Sequence, residues 1–418
     1  MALIVQKYGG SSVATPELMK KVAKRAIAAK NEGNKVVVVL SAMKGETDKL
    51  LKLARSVTPE PNPRELDTLV STGEQVSVAL FAMTAQSLGE TVKSFLGFQA
   101  GISTDDNHGK ARILSADPAR IATELAKGRL AVVAGFQGID KHGDITTLGR
   151  GGSDTTAVAL AVALGADVCE IHTDVDGIFT TDPNVCRDAR KMEKISYEEM
   201  LELSSLGAKV MEIRSVELGM VHNLKIHVRN AHNPSPGTII CQEDESMEKT
   251  PVRGVTHSTD EARITLVNVR DRPGVAARIL SVVSKAEIVV DMIIQNKSAE
   301  GDGNRTDFSF TVPSNDYDKA MELLGNVLNE LEAEKILGDD NIAKISLVGA
   351  GMRNHAGVAA KMFRTLAAEG ININMISTSE IKISCVIEKK YAELAVRVLH
   401  EAFRLDLPPG ENGGTEDI

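Results

Sequence analysis

The residues best suited to chemistry in this chain lie in two glycine turns. Lys7 closes the apolar run Leu3-Ile4-Val5-Gln6 and is followed by Tyr8-Gly9-Gly10-Ser11-Ser12, with a helix start at Thr15-Pro16. Strand, glycine turn and helix start in that order form a phosphate cradle. Glycines let backbone approach the anion, amides point at it, and the lysine adds a point charge. Such a lysine either neutralises charge on a transferring phosphoryl group or merely ends an edge strand. The later segment Leu148-Gly149-Arg150-Gly151-Gly152-Ser153-Asp154-Thr155-Thr156 repeats the design ahead of an apolar helix, Ala157 to Leu164. A zwitterionic amino acid needs a guanidinium for its carboxylate and a carboxylate for its ammonium, and Arg150 and Asp154 offer both. Ser153 and Asp154 also suit a helix cap and an acidic first turn. Two such turns imply a phosphorylated ligand with a second charged ligand beside it.

Other residues are candidates of the same kind. Glu74, in Ser71-Thr72-Gly73-Glu74, starts a helix, where it meets either a substrate ammonium or the helix dipole. Ser41 and Thr47 flank the turn after the Val36–Leu40 run and offer hydroxyls to phosphate, carboxylate or loop backbone. The segment Thr173 to Pro183 carries Asp-Gly and Asp-Pro turns and lacks the spacing of a calcium loop, which favours a nucleotide loop. Lys209 opposes the dipole of the helix it starts, so it faces either an anion or solvent. Sequence patterns of P-loop, dinucleotide-binding and nucleophile-elbow enzymes are absent. His108, His142, His172, His222, His227 and His232 show no ligand spacing, and Cys169, Cys186, Cys241 and Cys385 form no C-x-x-C pair, so no metal site is expected.

These turns need elements to hold them. Strand-like runs at Leu3–Gln6, Val36–Leu40, Val92–Leu96, Leu130–Phe136, Val168–His172 and Lys225–Val228 alternate with helical stretches. The helices fit Pro16–Glu32, Glu74–Leu88, Ala119–Lys127, Thr155–Leu164, Tyr197–Leu203 and Lys209–Leu218. The pattern predicts an α/β domain over residues 1–245, an open sheet sandwiched by helices with its ligands at the strand-to-helix turns. A polar stretch, 246–262, reads as a linker. Beyond it the chain repeats itself: Gly274-Val275-Ala276-Ala277 recurs as Gly357-Val358-Ala359-Ala360, and Met292-Ile293 as Met375-Ile376, both at an offset of 83 residues. Two α+β units are expected, at 263–338 and 339–405, with a disordered tail at 406–418. Composition is 43% hydrophobic and 25% charged with 3% aromatics and a net charge of −9, which supports a sizeable core and argues against a nucleic-acid partner. No apolar run reaches the ~18 residues of a membrane span and no leader is read, so the expected location is cytoplasmic.

The motifs KYGGSSVA (Lys7–Ala14), STGE (Ser71–Glu74), TLGRGGSDTTAVALA (Thr147–Ala161) and TDVDGIFTTDP (Thr173–Pro183) resemble the aspartokinases of the amino acid kinase superfamily. The repeat resembles that family's tandem, ferredoxin-like ACT domains. The resemblance runs from Leu3 to Phe403, with no fused homoserine dehydrogenase expected. It implies that MgATP and L-aspartate give ADP and 4-phospho-L-aspartate, on the way to lysine, threonine and methionine. It assigns ATP to Lys7, Tyr8, Gly9, Gly10, Ser41, Thr173, Asp174, Phe179, Thr180, Thr181, Asp182, Pro183 and Lys209. Arg150 would clamp the substrate α-carboxylate, Glu74 and Asp154 its ammonium, with Ser41, Thr47, Gly151, Gly152 and Ser153 completing the site. Lys7, Asp154 and Lys209 would be catalytic, with ATP and Mg²⁺ as cofactors. The ACT units imply feedback by lysine, threonine or both. Val275, Asp291 and Gln295 in the first unit, and Val358, Asn372, Ile373, Asn374, Ser379 and Glu380 in the second, are the candidate effector residues. A homo-oligomer is expected, or a hetero-oligomer with a shorter regulatory subunit begun internally near Met247. The rival readings are another kinase of the superfamily and a catalytically silent amino-acid sensor.

Overall fold

The runs of valine and isoleucine that read as strands are buried on both faces, as in parallel sheets covered by helices. The structure, a computed structural model, describes residues 1–205, 210–244, 251–297, 305–355 and 357–408. The chain divides into two compact units, Met1–Phe179 with Lys191–Glu248, and Thr180–Arg190 with Lys249–Ile418.

The first unit opens with β1 (Leu3–Tyr8), α1 (Pro16–Asn31), β2 (Lys35–Leu40), α2 (Glu46–Val57), α3 (Pro63–Val70), α4 (Thr72–Ser87) and β3 (Val92–Phe95). It continues through β4 (Ile102–Thr104), β5 (Ile113–Ala116), α5 (Ala119–Ala126), β6 (Leu130–Ala134), β7 (Gln137–Ile139), β8 (Ile145–Thr147) and α6 (Gly152–Leu164). It closes with β9 (Val168–Thr173), β10 (Lys194–Ser196), α7 (Tyr197–Ser205), α8 (Ile213–Val221), β11 (Ile226–Asn230) and β12 (Thr238–Cys241). Eight strands form one sheet in the order β10-β12-β11-β9-β1-β2-β6-β3. The pairs from β11 to β3 are all parallel, and β12 turns back against β11. A small sheet, β5-β4-β7-β8, stands beside it.

Strand alternation gives β1 two jobs. Tyr8 joins Val36, Val38, Leu40, Val132 and Ala134 in the core under α1 and α4. Lys7 points the other way and pairs with Asp154 of α6. Helix α1 begins as its sequence indicates: the Thr15 hydroxyl accepts from the Leu18 amide at 3.3 Å, Pro16 takes the first position, and Gly33 follows the end at φ +90°.

The second unit contains β13 (Gly254–Ser258), β14 (Glu261–Arg270), α9 (Val275–Ser284), β15 (Ile293–Lys297), β16 (Arg305–Pro313), α10 (Tyr317–Asn326) and β17 (Lys335–Asp339). Then come β18 (Ile342–Val348), α11 (Val358–Ala368), β19 (Met375–Thr378), β20 (Lys382–Glu388) and α12 (Ala392–Ala402). Two antiparallel sheets result, β15-β16-β14-β17 and β13-β18-β20-β19. The repeat is physical: Gly274 (φ +93°) and Gly357 (φ +104°) each cap the helix that follows, in a left-handed conformation that favours glycine.

One boundary needs correction. The stretch 246–262, read as a linker, contains β13, which pairs antiparallel with β18 from Gly254↔Val348 to Ser258↔Lys344. The second α+β unit therefore takes one strand from ahead of the first, which is inserted into it. Polar Thr256, His257 and Ser258 concealed the strand; Val255 faces the core. Residues 409–418, most of the expected tail, lie outside the described residues, as do Met247 and Lys209. The helix read as Lys209–Leu218 is observed as α8, capped by Glu212.

Candidate active site

At the carboxyl ends of β1 and β2 the chain leaves the sheet in two turns, and α6 brings a third beside them. They enclose a cleft of about 300 Å³ lined by Lys7, Gly9, Gly10, Ser41, Ala42, Thr47, Glu74, Phe136 and the whole loop Gly149–Asp154. Eleven of these residues were candidates from sequence, and the fold gathers them from four separate stretches.

The glycines are there for close approach. A Cβ on Gly10 would stand 2.5 Å from the Ala42 carbonyl oxygen, and one on Gly73 would meet the Ala42 Cβ at 2.8 Å. Gly151 is left-handed at φ +67°, and Gly152 begins α6, so the first amides of α6 sit at the cleft.

Lys7 Nζ lies 2.7 Å from Asp154 Oδ1, both side chains nearly buried. Asp154, expected at a substrate ammonium, thus already has a cationic partner. Glu74 differs. Its Oε1 accepts from the Ala42 amide at 2.9 Å, while Oε2 is buried without a hydrogen-bond partner among the described residues. Burial pushes its carboxyl up from 4.5 to about 7, against the pull of the Ala42 and Glu74 amides. Arg150 is exposed at the cleft.

Three contributors were not legible in the sequence. Ala42 acts through its amide. Phe136 lines the cleft at φ +71°, a strained conformation for a bulky residue, held because its amide donates to the Thr156 hydroxyl and its carbonyl accepts from Leu148. Asp67 is buried on α3 and accepts from the Thr147 amide (2.9 Å) and hydroxyl (2.6 Å), the Gly109 amide (2.9 Å) and His108 Nδ1 (3.0 Å). It fixes the start of the Gly149–Asp154 loop. An acid inside an ordinary amphipathic helix gave no sign of this.

The expected nucleotide residues divide. Thr173 ends β9, the neighbour of β1, and donates its hydroxyl to Asp174, the residue after it, at 3.1 Å. Phe179 pairs with Lys191 at the base of a hairpin. Tyr8 turns its ring away from the cleft into the core, where its hydroxyl donates to Gln6. Thr180, Thr181, Asp182 and Pro183 belong to the second unit. There the buried Thr180 hydroxyl meets His400 Nε2 at 2.9 Å and accepts from the Arg190 amide at 3.0 Å, and Asp182 caps its own turn through the Asn184 amide. Among the effector candidates, Gln295 on β15 and Asn372 and Asn374 ahead of β19 are exposed at the edges of their sheets. Asp291 is exposed too, but its carboxylate is paired with Lys344. Ser379 and Glu380 form the exposed turn into β20, Ile373 packs partly on the core, and Val275 and Val358 are buried at the first positions of α9 and α11.

The site and fold define an amino acid kinase carrying ACT units. The profile of the amino acid kinase family matches residues 2–230, and that of the ACT domain matches 255–328 and 345–403. The chain is 54% identical to an aspartate kinase of Pseudomonas putida over 409 residues, covering 98% of this chain and 99% of that one. It is similar to E. coli aspartokinase III in complex with aspartate and ADP (R-state), at TM-score 0.80 and 25% identity over 96% of this chain and 100% of that one. The same enzyme with lysine and aspartate (T-state) matches at TM-score 0.74, 25% identity and 96% and 99% coverage. The chain belongs to the aspartate kinase family, enzymes that transfer phosphate from ATP to aspartate.

Proposed function

We propose that the cleft binds ATP at the Lys7–Gly10 turn and aspartate between Glu74 and Arg150, and transfers the γ-phosphoryl group to the substrate's side-chain carboxylate. The observation that carries this is Glu74 Oε2: a buried carboxylate oxygen with no partner among the described residues, in the same cleft as Lys7. A buried acceptor needs a donor, and a substrate ammonium supplies one. Arg150 takes the α-carboxylate, Thr47 and Ser41 close the aspartate side, and Asp154 holds Lys7 toward the phosphates. The carboxylate nucleophile is already ionised, so no base is required. A carboxylate oxygen bonds to the γ-phosphorus, the bond from that phosphorus to the bridging oxygen breaks, and ADP leaves. Lys7 and the α6 amides stabilise the charge that moves.

Mg²⁺ fits as a companion of the nucleotide. Among the described residues no group of three or more His, Cys, Asp or Glu could hold a metal ion, and Mg²⁺ takes most of its ligands from phosphates and water. Asp154 is the carboxylate that would meet it. Lys209, Thr173, Asp174 and Phe179 remain our nucleotide candidates through side chain or backbone.

The ACT units act as the feedback device, with lysine, threonine or both as effectors bound near Asp291, Gln295, Asn372 and Asn374. E. coli aspartokinase III with lysine supports this reading. Among the described residues β15 and β19 each leave one edge unpaired within their sheets, which suits association with further chains. Four free cysteines fit the reducing cytoplasm, and no helix among the described residues is long and apolar enough to cross a membrane.

The test is ADP release from MgATP with L-aspartate, alone and then with lysine, threonine or both. The reading expects aspartate-dependent turnover, suppressed by an effector and abolished by Lys7→Ala. Wild-type turnover in Lys7→Ala would overturn the site.

A further inference from the structure

Behind the Lys7 turn, on the face of the sheet that Lys7 does not use, lies a closed polar network. Gln6 and Tyr8 of β1, Glu170 and His172 of β9, and Arg229 of β11 are cross-strand neighbours: Gln6 pairs with Glu170, Tyr8 with His172, and His172 with Arg229. Glu170 Oε2 accepts from Gln6 Nε2 at 2.9 Å and faces His172 Nε2 at 3.1 Å; Oε1 accepts from Arg229 at 2.9 Å. The Tyr8 hydroxyl donates to Gln6 Oε1 at 3.2 Å, and its ring stacks on the imidazole, centroids 4.4 Å apart and 6° from parallel. Arg25, reaching down from α1, donates to the Asn230 and Asn233 carbonyls at 2.7 Å each and faces His172 Nδ1 at 3.3 Å.

The geometry fixes the protons. A guanidinium only donates, so the His172 Nδ1 that faces Arg25 is an acceptor. The single imidazole proton is then on Nε2 and is donated to Glu170. Gln6 is oriented by the same logic, its amide nitrogen toward the carboxylate and its oxygen toward Tyr8. The groups' titration agrees. Burial lowers the His172 pKa, outweighing the pull of Glu170. Burial also drives Glu170 up, but His172 and Arg229 overcome it and hold the carboxyl at about 2. The network is one neutral imidazole and one carboxylate, with Arg229 Nε buried without a hydrogen-bond partner among the described residues.

Its members stand immediately before the residues that line the nucleotide side. Tyr8 precedes Gly9 and Gly10, His172 precedes Thr173 and Asp174, and Arg229 precedes Asn230, whose side chain holds Asp176 at 2.7 Å. No member lines the cleft, and the aspartate-side residues Thr47, Glu74 and Arg150 lie on other elements. We propose that His172 and Glu170 are positioning residues for the nucleotide, locking the ends of β1, β9 and β11 in register so that the Lys7 turn and the Thr173–Asp174 turn present to one phosphate chain. The inference rests on the reading that ATP occupies the Lys7 turn.

Three variants and one spectrum test it. His172→Phe keeps the ring against Tyr8 and removes both polar contacts. Glu170 still accepts from Gln6 and Arg229, and Arg25 still has two carbonyls, so the fold is expected to hold. The expected result is a KM for MgATP raised about tenfold, the effect of roughly 1.4 kcal/mol, with the KM for aspartate within about twofold. His172→Gln carries one donor and one acceptor and is expected to restore the MgATP KM to within about threefold. Nitrogen-15 NMR of His172 in the intact wild-type enzyme should show the neutral Nε2–H tautomer, unchanged from about pH 6 to about pH 8. Equal changes in both KM values, no change in either, failure of glutamine to rescue, or an Nδ1–H tautomer would each overturn the proposal. Lys7→Ala separates the two levels. If it retains turnover, the nucleotide reading fails and this inference with it. If Lys7→Ala is dead and folded His172→Phe is indistinguishable from wild type, only the inference fails.

Discussion

Glu74 has one oxygen tied to the Ala42 amide and one left bare in the cleft, with a pKa near physiological pH. That combination makes a measurable pH dependence. Below about 7 the carboxyl is protonated and offers an ammonium no charge, so kcat/KM for aspartate should fall between about pH 8 and about pH 6 while the KM for MgATP holds steady. Glu74→Gln should raise the KM for aspartate tenfold or more, the usual range for a lost charged hydrogen bond, and flatten that dependence. The stability effect has the opposite sense. A folded pKa raised above the unfolded value of 4.5 gives stability present below 4.5 and lost as pH rises through about 7, a difference of up to ~3 kcal/mol. Glu74→Gln cannot ionise, so its melting temperature should gain on wild type as pH rises. A wild-type aspartate KM that is flat across this range would remove Glu74 from the ammonium site. Glu74 was readable as a candidate because it sits at a helix start with hydroxyl neighbours. Its bare oxygen was not readable, because that depends on Ala42, a residue with no side-chain chemistry to draw attention.

At the scale of elements, glycine spacing told where the turns are but not why each glycine is needed. Gly33 has open space around it and is explained by its left-handed φ alone, whereas Gly10 faces the Ala42 carbonyl. Gly10→Ala must therefore move the β2-to-α2 turn, and should lower turnover by at least tenfold with the KM for MgATP raised. Gly33→Ala should cost about 1 kcal/mol of stability and leave the kinetics unchanged. Steady-state kinetics and thermal melts of the two variants would separate these effects, and an active Gly10→Ala would show the approach to be slack. Of the six principal strands, β1, β2 and β6 were legible from continuous apolar runs, and β3, β9 and β11 from shorter runs that polar residues interrupt. Helices α2 and α3 were not. Most of the apolar side chains of α2 stay partly exposed, with Leu53 56% and Val57 83% accessible. Prolines 59, 61 and 63 look like a loop, although Pro63 is the first residue of α3 behind an Asn62 cap. β13 was missed for a related reason: a five-residue strand paired far along the chain leaves no local pattern.

At the scale of the molecule, the proposed feedback requires the duplicated units to change what the kinase unit does. The duplication itself was plain in the sequence, since two tetrads held one offset across a helix. The interleaving was not, because pairing between β13 and β18 skips the whole first unit. Its consequence is mechanical: the two sheets share a small core of Met292, Ile342, Met375 and Val386, and Lys344 of the second binds both Glu261 and Asp291 of the first. An effector that moves one sheet therefore disturbs the other. Gln295 and Asn374 lie on exposed edges outside the two hydrophobic cores, so shortening either should spare the fold. Gln295→Ala or Asn374→Ala should raise the concentration of lysine or threonine needed for half-inhibition about tenfold or more, with uninhibited kcat within about twofold. Parallel loss of turnover and inhibition would mean that these are structural residues. Linkage adds a stricter requirement. If an effector weakens aspartate binding by some factor, aspartate must weaken effector binding by the same factor. Calorimetric titration of effector with and without aspartate, and of aspartate with and without effector, should give the same factor in the wild type. A factor of one in the wild type would mean that inhibition acts on the catalytic step and leaves aspartate affinity alone.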